Sequence, residues 1–110
     1  MIPSGMKIYE HPEISEVTLP AVMQALSDPC RIAIVRELLA KDHALACNEV
    51  PLDVSKATRS HHFEVLRSAG LIHTKTEGTK CMTSLRRGEV ESRFPGLFAL
   101  VEGADREISV

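Results

Sequence analysis

The most constraining feature of this sequence is a segment of helix length that has end signals on both sides and is followed by two β-forming runs. Ser55 is a suitable N-cap for a helix over 56–68, and Gly70 is the residue type that favours a helix end. The runs 71–76 and 79–85 are rich in β-forming residues and are joined at a glycine, a pattern typical of a β-hairpin. The sequence therefore predicts a capped helix with a hairpin directly behind it.

Further helices are indicated on both sides of this unit. Apolar residues at helical spacing predict a first helix over 18–26. Asp28 followed by Pro29 is a cap and a first-turn proline, which predicts a second, central helix that ends near Lys41. A short helix of about two turns is expected over 44–50, and a last helix from 97 to about 107.

These elements define one fold class. Residues 1–16 are expected to form an irregular N-terminal arm, and residues 17–110 a single domain. The domain is mainly α with a small β-hairpin, in the order helix, helix, short helix, helix, two-stranded hairpin, helix. This order is the ground plan of a winged helix-turn-helix, so the sequence predicts that fold.

Composition excludes several other classes of protein. Hydrophobic residues make up 44% of the chain and charged residues 25%, close to the averages of soluble globular domains. No apolar run reaches the roughly 18 residues of a membrane span, and residues 1–10 lack the pattern of a secretory signal. Three cysteines, an odd number, are not expected to form a disulfide framework, and a reducing cytoplasm is the expected location.

The charges are distributed unevenly along the chain. The net charge is −2, yet residues 54–87 hold seven basic and two acidic side chains, a net of +5 between acidic flanks. A short positive block of this kind is typical of a local contact with a polyanion. The alternative, a chance fluctuation on a solvated surface, stays open on charge alone.

Other functional classes find little support in the sequence. There is no Gly-rich phosphate loop and no G-x-S-x-G nucleophile motif, so we expect no enzyme activity. One tyrosine and three phenylalanines are too few for a base-stacking platform, which argues against a single-strand or RNA binder. The alternative from another class is a winged-helix module that docks a protein, and the positive block argues against it.

Three motifs in order carry a resemblance to a known family. Residues 55–62 read Ser-x-x-Thr-x-Ser-His-His and residues 65–71 read Val-Leu-Arg-x-Ala-Gly-Leu, while residues 25–35 contain Leu-Ser-Asp-Pro and residues 77–80 read Glu-Gly-Thr-Lys. Together they resemble the ArsR/SmtB family of bacterial winged helix-turn-helix repressors over most of the chain. The resemblance implies a homodimeric repressor that binds double-stranded DNA at an imperfect palindrome. Arg59 departs from the family, which usually has an apolar residue there.

The predicted DNA-binding residues lie at the start of helix 56–68 and on the wing. Short hydroxyls and long cations in the first turns suit a helix seated in the major groove, and Ser55 leaves helix N–H groups directed at a phosphate. His62 is expected nearer the buried side, so packing is an alternative for it. The predicted set is Ser55, Lys56, Thr58, Arg59, Ser60, His61 and His62 on the helix, with Lys75 and Lys80 on the wing.

The resemblance also implies that the first and last helices form the dimer interface. Their apolar stripes have little else to cover them in so small a domain. The predicted interface residues are Leu19, Val22, Met23 and Leu26 in the first helix and Leu97, Phe98, Leu100 and Val101 in the last.

The inducer cannot be deduced from the sequence. Many members of the family bind a metal through Cys-x-Cys or through Asp and His on the last helix, but here only Cys47 remains and residues 97–110 contain no His. We therefore expect no metal and no cofactor. A thiol switch using Cys30 and Cys47 stays open, with Cys30 favoured by its place at a helix start beside Arg31.

Overall fold

The computed structural model describes residues 8–103. Five α-helices and three β-strands lie within this range. The helices are α1 (Leu19–Ala25), α2 (Pro29–Lys41), α3 (Lys56–Ser68), α4 (Arg87–Arg93) and α5 (Leu97–Gly103), and the strands are β1 (Leu45–Ala46), β2 (Ile72–Glu77) and β3 (Lys80–Leu85). Single 3-10 turns are formed by Ile14–Glu16 and Cys47–Glu49. The expected continuation of the last helix to about 107 lies outside the described residues.

The two longest helices begin where the sequence predicts. Asp28 precedes α2, and its Oδ1 accepts hydrogen bonds from the backbone N–H groups of Cys30 (2.7 Å) and Arg31 (3.2 Å). Ser55 precedes α3, and its Oγ accepts from the N–H of Thr58 at 3.2 Å. Each cap supplies a partner for N–H groups that have none inside the helix. The predicted starts of both helices are confirmed.

Gly70 ends α3 and turns the chain into the wing. Its φ of +78° lies in the left-handed region that glycine adopts without strain. A Cβ atom at this position would overlap the side chain of Val17. Gly70 is therefore required both for the turn and for the close approach of the segment that precedes α1.

The sheet has three strands rather than the predicted two. Strands β2 and β3 form the expected antiparallel hairpin, and β1 adds to the free edge of β3 with Leu45 opposite Thr83 and Ala46 opposite Met82. The predicted helix over 44–50 is wrong. This apolar run is too short for its period to distinguish a helix from a strand, and the edge of β3 offers it hydrogen-bond partners.

Helix α4 was missed in the sequence because its residues are mostly polar. Val90 is its buried residue, and the side chains of Arg86 and Glu89 form a bidentate ion pair at its start, at 3.0–3.1 Å. The N–H of Gly96 then donates to the carboxylate of Glu91 at 3.1 Å. One buried residue in seven gives too weak a period to predict a helix.

Helix α2 lies at the centre of the core, as predicted. Its buried residues Ile34, Val35 and Leu38 belong to a cluster that includes residues of α1, α3 and α5, and α2 contacts both α3 and α5. Burial of these side chains stabilises the fold by about 1.5–3 kcal/mol each. Among the described residues, no helix is long and apolar enough to cross a membrane.

Candidate nucleic-acid interface

Helix α3 has a buried side and an exposed side. Phe63 and Leu66 are buried in the core, which fixes the rotation of the helix about its axis. Lys56, Ser60 and His61 are exposed in its first two turns. Polar side chains of different lengths on the leading turns of a helix are what contact with base edges in a major groove requires.

The N-terminus of α3 is closed by two hydroxyl side chains. The Oγ of Ser55 donates to the Oγ1 of Thr58 at 2.9 Å and accepts from the Thr58 N–H. Both side chains are exposed. The positive end of the helix dipole lies at the same place, so this end of α3 favours a phosphate group.

Arg59 does not lie on the exposed face, contrary to the sequence prediction. Its guanidinium donates to the backbone carbonyls of Val50 (2.6 Å), Cys47 (3.0 Å) and Leu52 (3.2 Å). These carbonyls belong to the 3-10 turn and to the segment that joins it to α3. Arg59 therefore fixes α3 against this turn, and its predicted DNA contact is corrected.

His62 is buried, so its predicted DNA contact is also corrected. Its Nδ1 lies 3.2 Å from Nη1 of Arg31, and its Nε2 lies 3.9 Å from Oδ1 of Asp28. Because a guanidinium can only donate, Nδ1 accepts and the proton is assigned to Nε2, facing Asp28. His62 thereby packs α3 on the start of α2, the alternative expected from the sequence.

The carboxylate of Asp28 is held in its charged form at this junction. Desolvation raises its pKa, but the N–H groups of Arg31 and Cys30, with smaller contributions from the nearby His62 ring and the Arg31 guanidinium, lower the pKa by more. The net result is a pKa below the usual value. The cap of α2 thus stays ionised at neutral pH.

Asp28, Cys30 and His62 together present ligand atoms within 4.8 Å of one another, so we tested them as a metal site. The Oδ1 of Asp28 already accepts two helix N–H groups, and the Nε2 of His62 carries the proton. The Arg31 guanidinium and the helix start add positive charge beside the cluster. The donor set does not suit a cation, and we assign the cluster to helix packing.

Lys75 and Lys80 are exposed on the wing, but on the face that points away from α3. Residues opposite each other on paired strands share a face: Lys75 pairs with Met82, and Lys80 with Glu77. The alternate residues Thr74 and Cys81 lie on the other face, where they line a pocket with α3. The two lysines therefore present their charge on the outer face of the wing, and not on the face that lines the pocket with α3.

The positive block seen in the sequence is only partly available to a ligand. Arg86 is paired with Glu89 and lowers the pKa of that carboxyl group through its hydrogen bonds. Arg87 donates to carbonyls at the end of α2. The four arginines held in internal contacts are Arg59, Arg67, Arg86 and Arg87, and the three exposed lysines are Lys56, Lys75 and Lys80.

Two residues of the N-terminal arm, which the sequence analysis did not single out, reach the wing. The Nε2 of His11 accepts from the N–H of Thr74 at 2.9 Å, and its ring stacks on that of His73 at 4.4 Å. The ring of Tyr9 lies under the guanidinium of Arg67 at 4.8 Å. No local pattern could have shown these contacts, because each spans more than fifty residues.

Cys47 forms a disulfide with Cys81, and Cys30 is free. The sequence led us to expect no disulfide framework, and the structure contains this one disulfide. The Cα atoms of Cys47 and Cys81 are 5.7 Å apart. The two cysteines are the next residues along the strands after the last pair of the β1–β3 ladder, Ala46 and Met82. Cys47, one of the two predicted redox residues, is therefore joined to the wing and not to Cys30.

A pocket of about 330 Å³ separates α3 from the inner face of the wing. The disulfide forms part of its wall, and Lys56 and Arg67 are among its charged residues. Thr74 is 2% exposed, also lines the pocket, and its Oγ1 has no hydrogen-bond partner among the described residues. The pocket thus has an apolar body with a few polar groups, as small-molecule sites have.

The predicted dimer residues fall into two groups. Five are covered by the chain's own core: Val22, Leu97, Phe98 and Val101 are buried, and Leu26 is partly buried against them. The four buried side chains have little surface left for a partner chain, which corrects the prediction for them, while Leu26 keeps part of its surface. Three stay exposed: Leu19 (48%), Met23 (49%) and Leu100 (66%).

The helix α3, the hairpin behind it and the helices before it form an architecture compatible with a winged helix-turn-helix. Over 77 residues, the chain is 38% identical to the uncharacterized HTH-type transcriptional regulator YceK of Bacillus subtilis (strain 168). The match spans 68% of this chain and 77% of the relative. No family model matches the chain.

This chain belongs to the HTH-type transcriptional regulators. It is a DNA-binding regulator of transcription and not an enzyme, and both expectations are confirmed at that level.

Proposed function

We propose that the chain is a sequence-specific repressor of the ArsR/SmtB type that acts as a homodimer on double-stranded DNA in the cytoplasm. The observation that carries the proposal is the exposed leading face of α3. Lys56, Ser60 and His61 are exposed there, while Phe63 and Leu66 anchor the helix in the core. The motif order from 25 to 80 supports the assignment to this family.

Each exposed residue has a distinct part in the proposed complex. Lys56, Ser60 and His61 contact base edges in the major groove, where side chains can distinguish all four base pairs. Ser55 and Thr58 place the start of α3 on a phosphate. Lys75 and Lys80 contact the backbone or the minor groove beside it.

The two-fold geometry of DNA sites and the family resemblance support repression and dimerisation. One α3 reads only a short stretch of DNA, so two protomers related by two-fold symmetry give a palindromic site with half-sites about 34 Å apart. Exposed apolar residues on α1 and α5 supply a surface for the second copy. A dimer bound across a promoter then blocks transcription by occupying it.

The test is a titration of the protein against a duplex selected from a random pool and against a mismatched duplex. Lys56→Ala removes a groove-facing cation, and Lys41→Ala is the matched control on α2, where Lys41 pairs with Glu37. We expect Lys56→Ala to cost about 1–3 kcal/mol of binding free energy if it contacts a base, and to relax specificity at one position.

The control variant should bind like the wild type. Uniform weakening on all duplexes, with a flatter dependence on salt, would assign Lys56 to a phosphate. Equal affinity of wild type and Lys56→Ala for the selected duplex would remove α3 from the interface and contradict the proposal.

A further inference from the structure

We propose that Cys47 and Cys81 form a reversible dithiol–disulfide site that makes the DNA affinity of this regulator depend on peroxide. The inference rests on the proposed function and adds to it the signal and the residues that receive it. It replaces the pair Cys30 and Cys47 considered from the sequence.

The first support is geometric. The ladder between β1 and β3 ends at Ala46 opposite Met82, and Cys47 and Cys81 are the next residues along it. Their Cα atoms are 5.7 Å apart, within the range in which a disulfide forms without moving the backbone. The strand pairing thus holds the two sulfurs together whether they are bonded or reduced.

The second support is the mechanical position of Cys47. Its carbonyl accepts a hydrogen bond from Arg59 of α3 at 3.0 Å, and its sulfur is bonded to strand β3 of the wing. One residue therefore connects the two elements that are proposed to contact DNA. Closing the disulfide adds a covalent link between this turn and the wing, and opening it leaves only the strand pairing and the Arg59 hydrogen bond to hold the wing relative to α3.

The third support is access. Both cysteines are only partly buried, and both line the pocket of about 330 Å³ between α3 and the wing. The Oη of Tyr9 donates to the Sγ of Cys81 at 3.5 Å. A small oxidant or reductant can therefore reach the sulfurs without unfolding the core.

In the cytoplasm, where the proposed function places this chain, a permanent structural disulfide would be unusual. Disulfides in cytosolic proteins of ordinary organisms are usually transient, and they serve catalysis or redox sensing. The chain is not an enzyme, which leaves sensing for a disulfide beside the DNA-binding helix.

The chemistry is a two-electron oxidation. One thiolate attacks hydrogen peroxide, the O–O bond breaks, and a sulfenic acid and, after protonation, one water molecule form. The second thiol attacks that sulfur, the S–O bond breaks, and a second water leaves as the S–S bond forms. In total, two thiols and one peroxide give one disulfide and two waters. Dithiothreitol reverses the change by thiol–disulfide exchange and becomes a cyclic disulfide itself.

We expect the disulfide form to bind its operator more tightly. The wing and α3 are then held in one arrangement, so less ordering is required on binding. A coupling of ordinary size changes the affinity by at least about fivefold.

The experiment uses the full chain with its selected duplex, first under dithiothreitol and then after peroxide and its removal. Cys47→Ser and Cys81→Ser each remove one member of the pair. Cys30→Ser is the matched control, because Cys30 is the free cysteine. Alkylation followed by mass measurement counts the thiols in every sample.

In the wild type we expect three alkylated cysteines under reductant and one after peroxide. The affinity should change with the thiol count in the wild type and in Cys30→Ser, and should stay constant in the other two variants. A change of either sign that needs both cysteines supports the site.

Two results overturn the inference while leaving the proposed function intact. The first is specific DNA binding that is equal in the two states of the wild type. The second is a thiol count that does not fall by two after peroxide. Absence of specific DNA binding in both states would instead contradict the proposed function, and with it the coupling.

Discussion

At the scale of single residues, Arg59 shows how a cation near the start of a helix can be held by the protein's own backbone instead of being exposed to a ligand. Its guanidinium donates to three backbone carbonyls in the turn before α3. Arg59→Ala should therefore lower the free energy of unfolding by about 1–3 kcal/mol, since partly buried carbonyls lose their partner. Urea denaturation of the two proteins measures this difference.

Lys56→Ala is the control for this prediction, because Lys56 is exposed and its loss should change stability by no more than about 0.5 kcal/mol. We also expect Arg59→Ala to weaken binding to all duplexes, as α3 becomes less well positioned. If stability were unchanged and discrimination were lost at one base pair, Arg59 would contact a base after all.

His11 is expected to make the stability of the chain depend on pH. Desolvation first, and then the positive charges of His73, Arg86 and Arg67, lower the pKa of His11 below its ordinary value of 6.5. The folded state therefore binds fewer protons at this site than the unfolded state does. Stability should fall as the pH decreases through about 6.5, and the loss should level off once the folded His11 also becomes protonated.

His11→Gln tests this prediction, because glutamine offers an acceptor to the N–H of Thr74 and does not titrate. The denaturation midpoints of wild type and variant are compared at about pH 7.5 and about pH 5.5. The wild type should lose more stability than the variant between these values. Parallel losses would show that other groups cause the pH dependence.

At the scale of elements, the sequence predicted those helices and strands that are specified by neighbouring residues, and missed those that depend on contacts with distant parts of the chain. Helices α2 and α3 were predicted with their starts because Asp28 and Ser55 are local signals that work in any tertiary context. The hairpin was predicted for the same reason, from its Gly78 turn. Strand β1 was not, because only the edge of β3 makes 45–46 extended.

In the candidate site, too, features specified by neighbouring residues were predicted and features that depend on distant contacts were not. The exposed start of α3 was predicted because residues three apart share a helix face, which assigned Lys56 and Arg59 to one exposed side with Ser60 nearby; Lys56 and Ser60 are exposed. The inward direction of Arg59 depends on carbonyls in the neighbouring turn, and the pairing of Cys47 with Cys81 joins residues 34 positions apart. Contacts between residues far apart in the chain do not produce a periodic pattern of residue types, so they could not be predicted from the sequence.

At the scale of the whole molecule, the DNA-binding charge is smaller than the sequence suggested. Most of the basic side chains in residues 54–87 are arginines that bind backbone carbonyls, a carboxylate or an aromatic ring of the same chain. Three exposed lysines remain near the proposed interface of each protomer. Fewer phosphate contacts mean a weaker salt dependence of binding. In the proposed complex, specific contacts from α3 then supply a larger share of the affinity, and the proposed dimer would double them.

The last prediction concerns that dimer. Met23→Glu and Leu100→Glu each replace an exposed apolar side chain of α1 or α5 by a charged one. Because these positions are exposed in the single chain, each variant should stay folded. The dimer should dissociate, because a charge without a partner in an apolar interface costs several kcal/mol. Val101→Glu should instead unfold the monomer, since Val101 is buried in the core, and Ser92→Glu on exposed α4 is the control. Light scattering at micromolar concentration, with circular dichroism on the same samples, separates the two effects. A monomeric wild type would contradict the proposed dimer. If both the Met23→Glu and the Leu100→Glu variants remained dimeric, the dimer interface would have to lie on another surface.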